Sequence, residues 1–293
     1  MCALTAPLGI EMLCFPFMQR AFVAGVAIGV VGPLIGSFLV HRQLSLIGET
    51  LAHTAFSGVA IGLFLSSTFA FVVSPYLTAL VVAVVAALLI QAISEYTNAY
   101  GDVSMAIVLA GGFALGTVII SASGGIAVSV NQYLFGSLST ITRENTGILV
   151  LLSLFVTSVV ALTYRQLLFI TFDETAARVA SLNVEGYNRL LVVLTALVVV
   201  AAMQLMGVIL VAALLVVPVA AAAQVAGSFK RSLWYSIAFA ELSVVVGLTI
   251  SYAYGLATGG TIVLVAIAVY AGAVVVGKVR TRTVVAERTV DAE

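Results

Sequence analysis

Charge is what this chain has least of. Of 293 residues, 12 are Lys or Arg and 12 are Asp or Glu, 8% in all, against 62% hydrophobic. A soluble domain carries about 25% charged and about 45–50% apolar residues, so this scarcity excludes an ordinary water-soluble fold. A net charge of zero removes the basic surface that a nucleic-acid partner would need, and the few basic residues serve as topology signals. Cysteine occurs only as Cys2 and Cys14, too few and too poorly spaced for a thiolate zinc cage or a disulfide framework. The start, "MCALTAPLGIEML", lacks a basic region ahead of its apolar residues, so no cleaved signal peptide is expected. A long polar stretch is missing too; the largest, Arg165 to Arg189, is a connector and leaves no room for a soluble domain.

What the chain has is uncharged length. Thr50 to Ser94 (45 residues), Val103 to Thr142 (40), Asn145 to Tyr164 (20) and Leu190 to Phe229 (40) contain no Asp, Glu, Lys or Arg, and about 20 apolar residues cross a bilayer. These runs predict an all-α polytopic membrane protein with spans near 20–40, 46–67, 69–93, 104–123, 146–168, 188–206, 207–226, 232–253 and 261–278. Nine crossings are expected, or eight if the stretch from 188 to 226 forms one bent helix or a re-entrant segment around Gly207 and Pro218, where proline predicts a kink. With nine spans, Arg42, Arg165, Arg178, Arg189, Lys230, Arg231, Lys278, Arg280, Arg282 and Arg288 fall on one side. That side is read as the cytoplasm, with the C-terminal tail (279–293) in it. Arg20 and Arg143 are left on the other side. Asp102 is expected as a helix N-cap.

"GVAIG" occurs at 25–29 and again at 58–62, and Gly32 and Gly36 continue the first glycine face. Small residues at this spacing let helix backbones approach closely, so tight packing is expected there. "TFDETAARVASLNVEGYNR" (171–189) predicts a short surface helix capped by Asp173 and ended by Asn183 or Gly186. It is either a solvated connector or a docking element for a partner.

Two ionisable residues, Glu49 and His53 in "GETLAH", lie four apart, hence on one helical face and ~6 Å apart along the axis. An ionisable pair inside a span is costly and points to function, or else to hydrogen-bonded structural glue. Carboxylate and imidazole both suit zinc, manganese or ferrous iron. Glu241 is a third buried acid, about ten residues into its span; it either lines the same path or accepts a hydrogen bond. Met203, Gln204 and Met206 are read as packing residues and His41 as interfacial. "GAVVVGKV" (272–279) imitates a phosphate-binding loop, but Val279 stands where Ser or Thr is required and the stretch ends a hydrophobic span. No nucleophile with a matched base is visible, so the chain is read as a non-enzyme.

The whole chain resembles the integral-membrane permeases of ABC importers for zinc, manganese and iron, the ABC-3 family. The resemblance is carried by "FPFMQRAFVAGVAIG" (15–29), "RQLSLIGETLAHTAFSGVAIGL" (42–63), "FDETAARVASLNV" (172–184), "QLMGVILVAALLVVPVAAA" (204–222) and "GGTIVLVA" (259–266). It implies a single permease domain over 1–293, with a short N-terminal segment (1–17), a fold similar to type II importer permeases and a homodimer with its pathway on the two-fold axis. It implies as partners a separate ATPase that binds ATP and an extracytoplasmic metal-binding protein. The 170–188 loop would then hold the coupling helix that seats on the ATPase, with Phe172, Asp173, Glu174, Ala177, Arg178 and Leu182 as its contact or transmission residues. The family's acid and His positions, thought to line the metal path, fall on Glu49 and His53, although the family acid is usually Asp and here is one methylene longer. No intrinsic cofactor is implied; the metal is cargo. The rival from another class is an ion-coupled secondary transporter or cation channel using Glu49, His53 and Glu241 as a relay, which would have no need of a docking helix.

Overall fold

The computed structural model describes residues 12, 15–69, 74–97, 101–123 and 143–290, although the side chains at 69, 97, 101, 204–206, 208–209 and 280–290 lie outside that description. Cys2 and Cys14 also lie outside it. Among the described residues the fold is helical: α1 (Pro16–His41), α2 (Ile47–Phe69), α3 (Pro75–Thr97), α4 (Gly101–Ala122), α5 (Arg143–Phe172), the short α6 (Glu174–Val179), α7 (Val184–Met206), α8 (Val208–Val225), α9 (Phe229–Tyr254) and α10 (Thr258–Val290). Eight of these are long and apolar enough to cross a membrane, and Leu210–Val225 in α8 forms a shorter apolar helix. Helices suit this medium because they satisfy their backbone polar groups internally.

All nine expected apolar segments are helices, and the stretch from 188 to 226 is two helices instead of one bent rod. The break is the single residue Gly207, at φ 79 and ψ 165, a conformation essentially reserved for glycine. Pro218 lies inside α8 without ending it. The largest boundary shift is at the end of α10, expected at 278 but helical to Val290; α3, expected from residue 69, starts at Pro75, where a proline at the first turn loses no helical hydrogen bond. Asp102 is not a cap: α4 starts at Gly101 and places Asp102 in its first turn, where a carboxylate still meets the positive end of the dipole. The segment 272–279 is helical throughout, so the apparent phosphate-loop motif has no loop.

Side-chain contacts gather several helix ends at one face. Arg42 at the end of α1 reaches Thr171 on α5 and Asn188 on α7. The neighbouring His41 ring packs against Phe172 (6.1 Å) and Phe229 (5.0 Å). Arg189 at the start of α7 stands 3.7 Å from Glu95 at the end of α3. This is the face to which the sequence assigned Arg42, Arg178 and Arg189.

Glycine sets how closely the inner helices pack. A Cβ on Gly36 would run into the Leu215 carbonyl of α8, and one on Gly32 would stand 3.7 Å from the Leu214 carbonyl. On α2, a Cβ at Gly58 would meet the α3 backbone at Ala79 (2.6 Å), while α4 turns Gly112 and Gly116 toward Thr54 and Ser57. Ser57 Oγ donates to the Gly112 carbonyl. The second stretch therefore does what its spacing predicts, as do Gly32 and Gly36, whereas Gly29 in the first meets the Glu241 side chain of α9. The chain also sharply separates positions that need glycine from those that do not: Gly36 meets fixed backbone, whereas Gly111 has nothing within 4 Å. Gly36→Ala should cost about 1–3 kcal/mol by overpacking, whereas Gly111→Ala should be neutral or slightly stabilising on helix propensity. Thermal unfolding of the detergent-solubilised protein checks the contrast; equal shifts for both variants would contradict it.

Candidate metal path and coupling segment

From Ile47 to Ser66, α2 turns a single exposed residue outward, Glu49, and His53 one turn on is only partly covered. Thr50, Leu51, Ala52, Thr54, Ala55 and Phe56 are all buried. The helix is thus enclosed except along one strip, and both metal-competent side chains lie on it. His53 stands edge-on to Phe113 of α4, 5.5 Å between ring centroids and 88° between planes. Its Nδ1 is buried and makes no hydrogen bond. That is unusual, because a buried ring nitrogen normally has a partner.

Glu241 sits midway along α9, as its sequence depth predicted. Its carboxylate lies against α1, where a Cβ on Gly29 would come within 2.8 Å of Oε1. Oε1 is buried without a hydrogen bond. Among the described residues no three of His, Cys, Asp and Glu come together to hold a metal, so Glu241 does not join Glu49 and His53 in one cluster within the chain. Met203 is buried in the core, consistent with packing; the side chains of Gln204 and Met206 lie outside the described residues.

The polar connector holds the expected short helix. Asp173 Oδ1 accepts from the Ala176 amide at 2.8 Å and caps α6. The helix stops sooner than expected, at Val179, because Ser181 takes a left-handed conformation at φ 61. Asn183 does not end α6 but begins the next helix: its Oδ1 accepts from the Gly186 amide at 2.9 Å. Ala177 is buried against Ile170 and Val184, with Leu182 and Tyr187 closing the cluster. Of the six candidate coupling residues, Ala177 and Leu182 therefore anchor the segment from inside. Phe172, Asp173, Glu174 and Arg178 face out. Arg178 pairs with Glu174 at 2.8 Å; that hydrogen bond, and then the carboxylate charge, raise its pKa. Sequence reasoning missed Val179, 83% exposed, whose outward direction follows from the burial of Ala177 and has no signal in the sequence.

Beside α6, a cavity of about 490 Å³ opens at the same face, lined in part by Arg42, Gln91, Glu95, Glu174, Arg178 and Asn188.

Residues 14–277 match the ABC 3 transport family. The chain belongs to that family. Among its relatives, the manganese transport system membrane protein MntC of Halalkalibacterium halodurans is 31% identical over 261 residues, covering 89% of this chain and 87% of that one. The high-affinity zinc uptake system membrane protein ZnuB of Haemophilus influenzae is 26% identical, covering 85% of this chain and 94% of its own. Among solved structures, PsaBC from Streptococcus pneumoniae in complex with Fab superimposes with a TM-score of 0.80 at 29% identity, covering 92% of this chain and 94% of that one. The all-helical, multi-pass fold of this ABC 3 chain is therefore that of a transporter membrane subunit.

Within this family member the α6 cap can be tested locally. Asp173→Ala removes an N-cap, which costs about 0.5–2 kcal/mol, so amide hydrogen exchange at residues 174–180 should rise several-fold while α7 stays protected. Unchanged exchange at 174–180 would show that packing of Ala177 alone holds the helix.

Proposed function

We propose that this chain is the membrane-spanning subunit of an ATP-driven importer for a divalent transition metal ion, manganese or zinc, with iron a further candidate. The observation that carries the reading is the one open strip of α2: a carboxylate and an imidazole with an unpartnered ring nitrogen, on a helix otherwise enclosed by protein. The names of the relatives supply the cargo class, and the donor chemistry of Glu49 and His53 agrees with it. An exposed acid on a membrane helix should face water or protein and not lipid, and a second copy of the chain is the covering surface this reading takes. A second copy brought up along α2 would supply two more such ligands. Four N and O donors make a site that holds a cation without trapping it.

ATP is hydrolysed on a separate subunit that seats against Phe172, Asp173, Glu174, Arg178 and Val179, and an extracytoplasmic binding protein delivers the ion. The basic face, with the C-terminus of the chain, lies in the cytoplasm. Rocking of the two protomers opens the paired Glu49–His53 site to either side in turn. Glu241 stands apart on α9 and acts as a secondary polar group of the transmembrane region.

The test is uptake of radioactive manganese and zinc into vesicles holding the permease, its ATPase and its binding protein. Loss of an outer-sphere partner already lowers metal affinity about 10–100-fold, so Glu49→Gln and His53→Ala should each reduce uptake at least about tenfold with the complex still assembled. Normal uptake by both variants would overturn the assignment of the path, and the isotope taken up by wild type identifies the metal.

A further inference from the structure

The turn between α1 and α2 carries a cation that the transport reading leaves unused. Arg42 Nε donates to Thr171 Oγ1 at 3.0 Å and Nη1 donates to Asn188 Oδ1 at 2.6 Å. Thr171 lies in the last turn of α5 and Asn188 near the start of α7, the two helices between which α6 is strung. Both partners are neutral. Nη2 is buried and bonds to nothing, and among the described residues no ion pair within 4 Å involves Arg42, unlike Arg178 and Arg189. A desolvated cation without a counter-ion is unfavourable.

The nearest source of relief is on the coupling helix. Burial pulls the Arg42 pKa below its ordinary value, and the charge of Glu174 opposes that pull. Glu174 and Arg42 line the same cavity, yet Glu174 is engaged with Arg178, one turn along α6 and about half exposed. An exposed pair of that kind holds its partners weakly, so its carboxylate is free to exchange.

The turn that carries Arg42 is stiff. The Leu44 amide donates to the Leu39 carbonyl at 2.8 Å, the Ile47 amide to the Leu44 carbonyl at 3.1 Å, and Gln43 is fixed at φ 59. A displacement of Arg42 is therefore carried into the first turn of α2, where Glu49 lies.

We propose that Arg42 is the positioning residue that ties the coupling helix to the Glu49–His53 helix. Movement of α6 transfers Glu174 from Arg178 to the unpartnered Nη2 of Arg42, and the α1–α2 turn follows. The proposal rests on the transport reading given above.

The complete complex in proteoliposomes, assayed for ATP hydrolysis and radioactive manganese uptake in the same sample, tests it. Arg42→Gln should leave assembly and ATP hydrolysis near wild type but lower the ions moved per ATP about tenfold, the upper range of coupling changes for residues outside the ligand sites. Arg42→Lys keeps the charge without the planar fork and should recover part of the loss. Glu174 also lies on the surface proposed for the ATPase, so the double variant is compared per assembled complex: adding Glu174→Gln to Arg42→Gln should lower the ions moved per ATP no further, since for that ratio both act through one contact. If Arg42→Gln does not assemble, Asn188→Ala is the milder variant and should lower the same ratio. A wild-type ratio in Arg42→Gln or in Asn188→Ala, or losses that multiply in the double variant, would overturn the proposal. The two readings fail separately. Normal coupling in Arg42→Gln with uptake lost in Glu49→Gln and His53→Ala removes only the linkage, whereas uncoupling by Arg42→Gln with normal uptake in both others removes only the assigned path.

Discussion

Close backbone approach at glycine is the contact on which the rest of this structure depends. In lipid, apolar side chains gain little by leaving their surroundings for one another, so helices associate through dispersion and interhelical hydrogen bonds. Gly32 and Gly36 let α1 lie on the α8 backbone, and Gly58 does the same for α2 against α3. Gly112 and Gly116 let α4 receive Thr54 and Ser57. These approaches enclose α2 on nearly every side. What they leave open is the strip with Glu49 and His53, so the packing of the inner helices itself defines where an ion could bind.

Much of this was legible because membranes impose few solutions. Uncharged runs of 40 and 45 residues leave little choice but paired helices, and the glycine spacing pointed to close helix packing. Glu49 and His53 shared a face by arithmetic alone. The misreadings concern local backbone geometry. Nothing in the string marks Ser181 as left-handed, so α6 was drawn too long and Asn183 was given the wrong end of the wrong helix. The buried state of Ala177 depends on Ile170 and Val184, which meet only when α5 and α7 fold together. Arg42 was read as a topology signal, since its contacts with residues 171 and 188 have no trace in the neighbouring sequence.

The site and the coupling segment are unlike in their materials. The open strip of α2 offers two side chains of metal-binding character and little else, whereas the exposed side of α6 mixes Phe172 and Val179 with the Glu174–Arg178 pair. The first arrangement suits a small ion held briefly; the second suits a protein surface, with apolar area for adhesion and charge for register. Both lie toward the same end of the bundle: Glu49 is in the first turn of α2, and Ile47 lines the cavity shared by Arg42 and Glu174.

The corner at Gly207 gives the inner helices a mechanical closure. A single residue joining α7 to α8 leaves no slack in length, so the end of one helix cannot shift without displacing the start of the other. The first is held by Arg42 at Asn188; the second returns through Leu215 onto Gly36 and Gly48, on either side of that same arginine. The contacts therefore form a ring, from the α1–α2 turn through α7 and α8 and back to the turn. In a ring of this kind no helix can slip alone, and a push at one point becomes a change of shape of the whole loop.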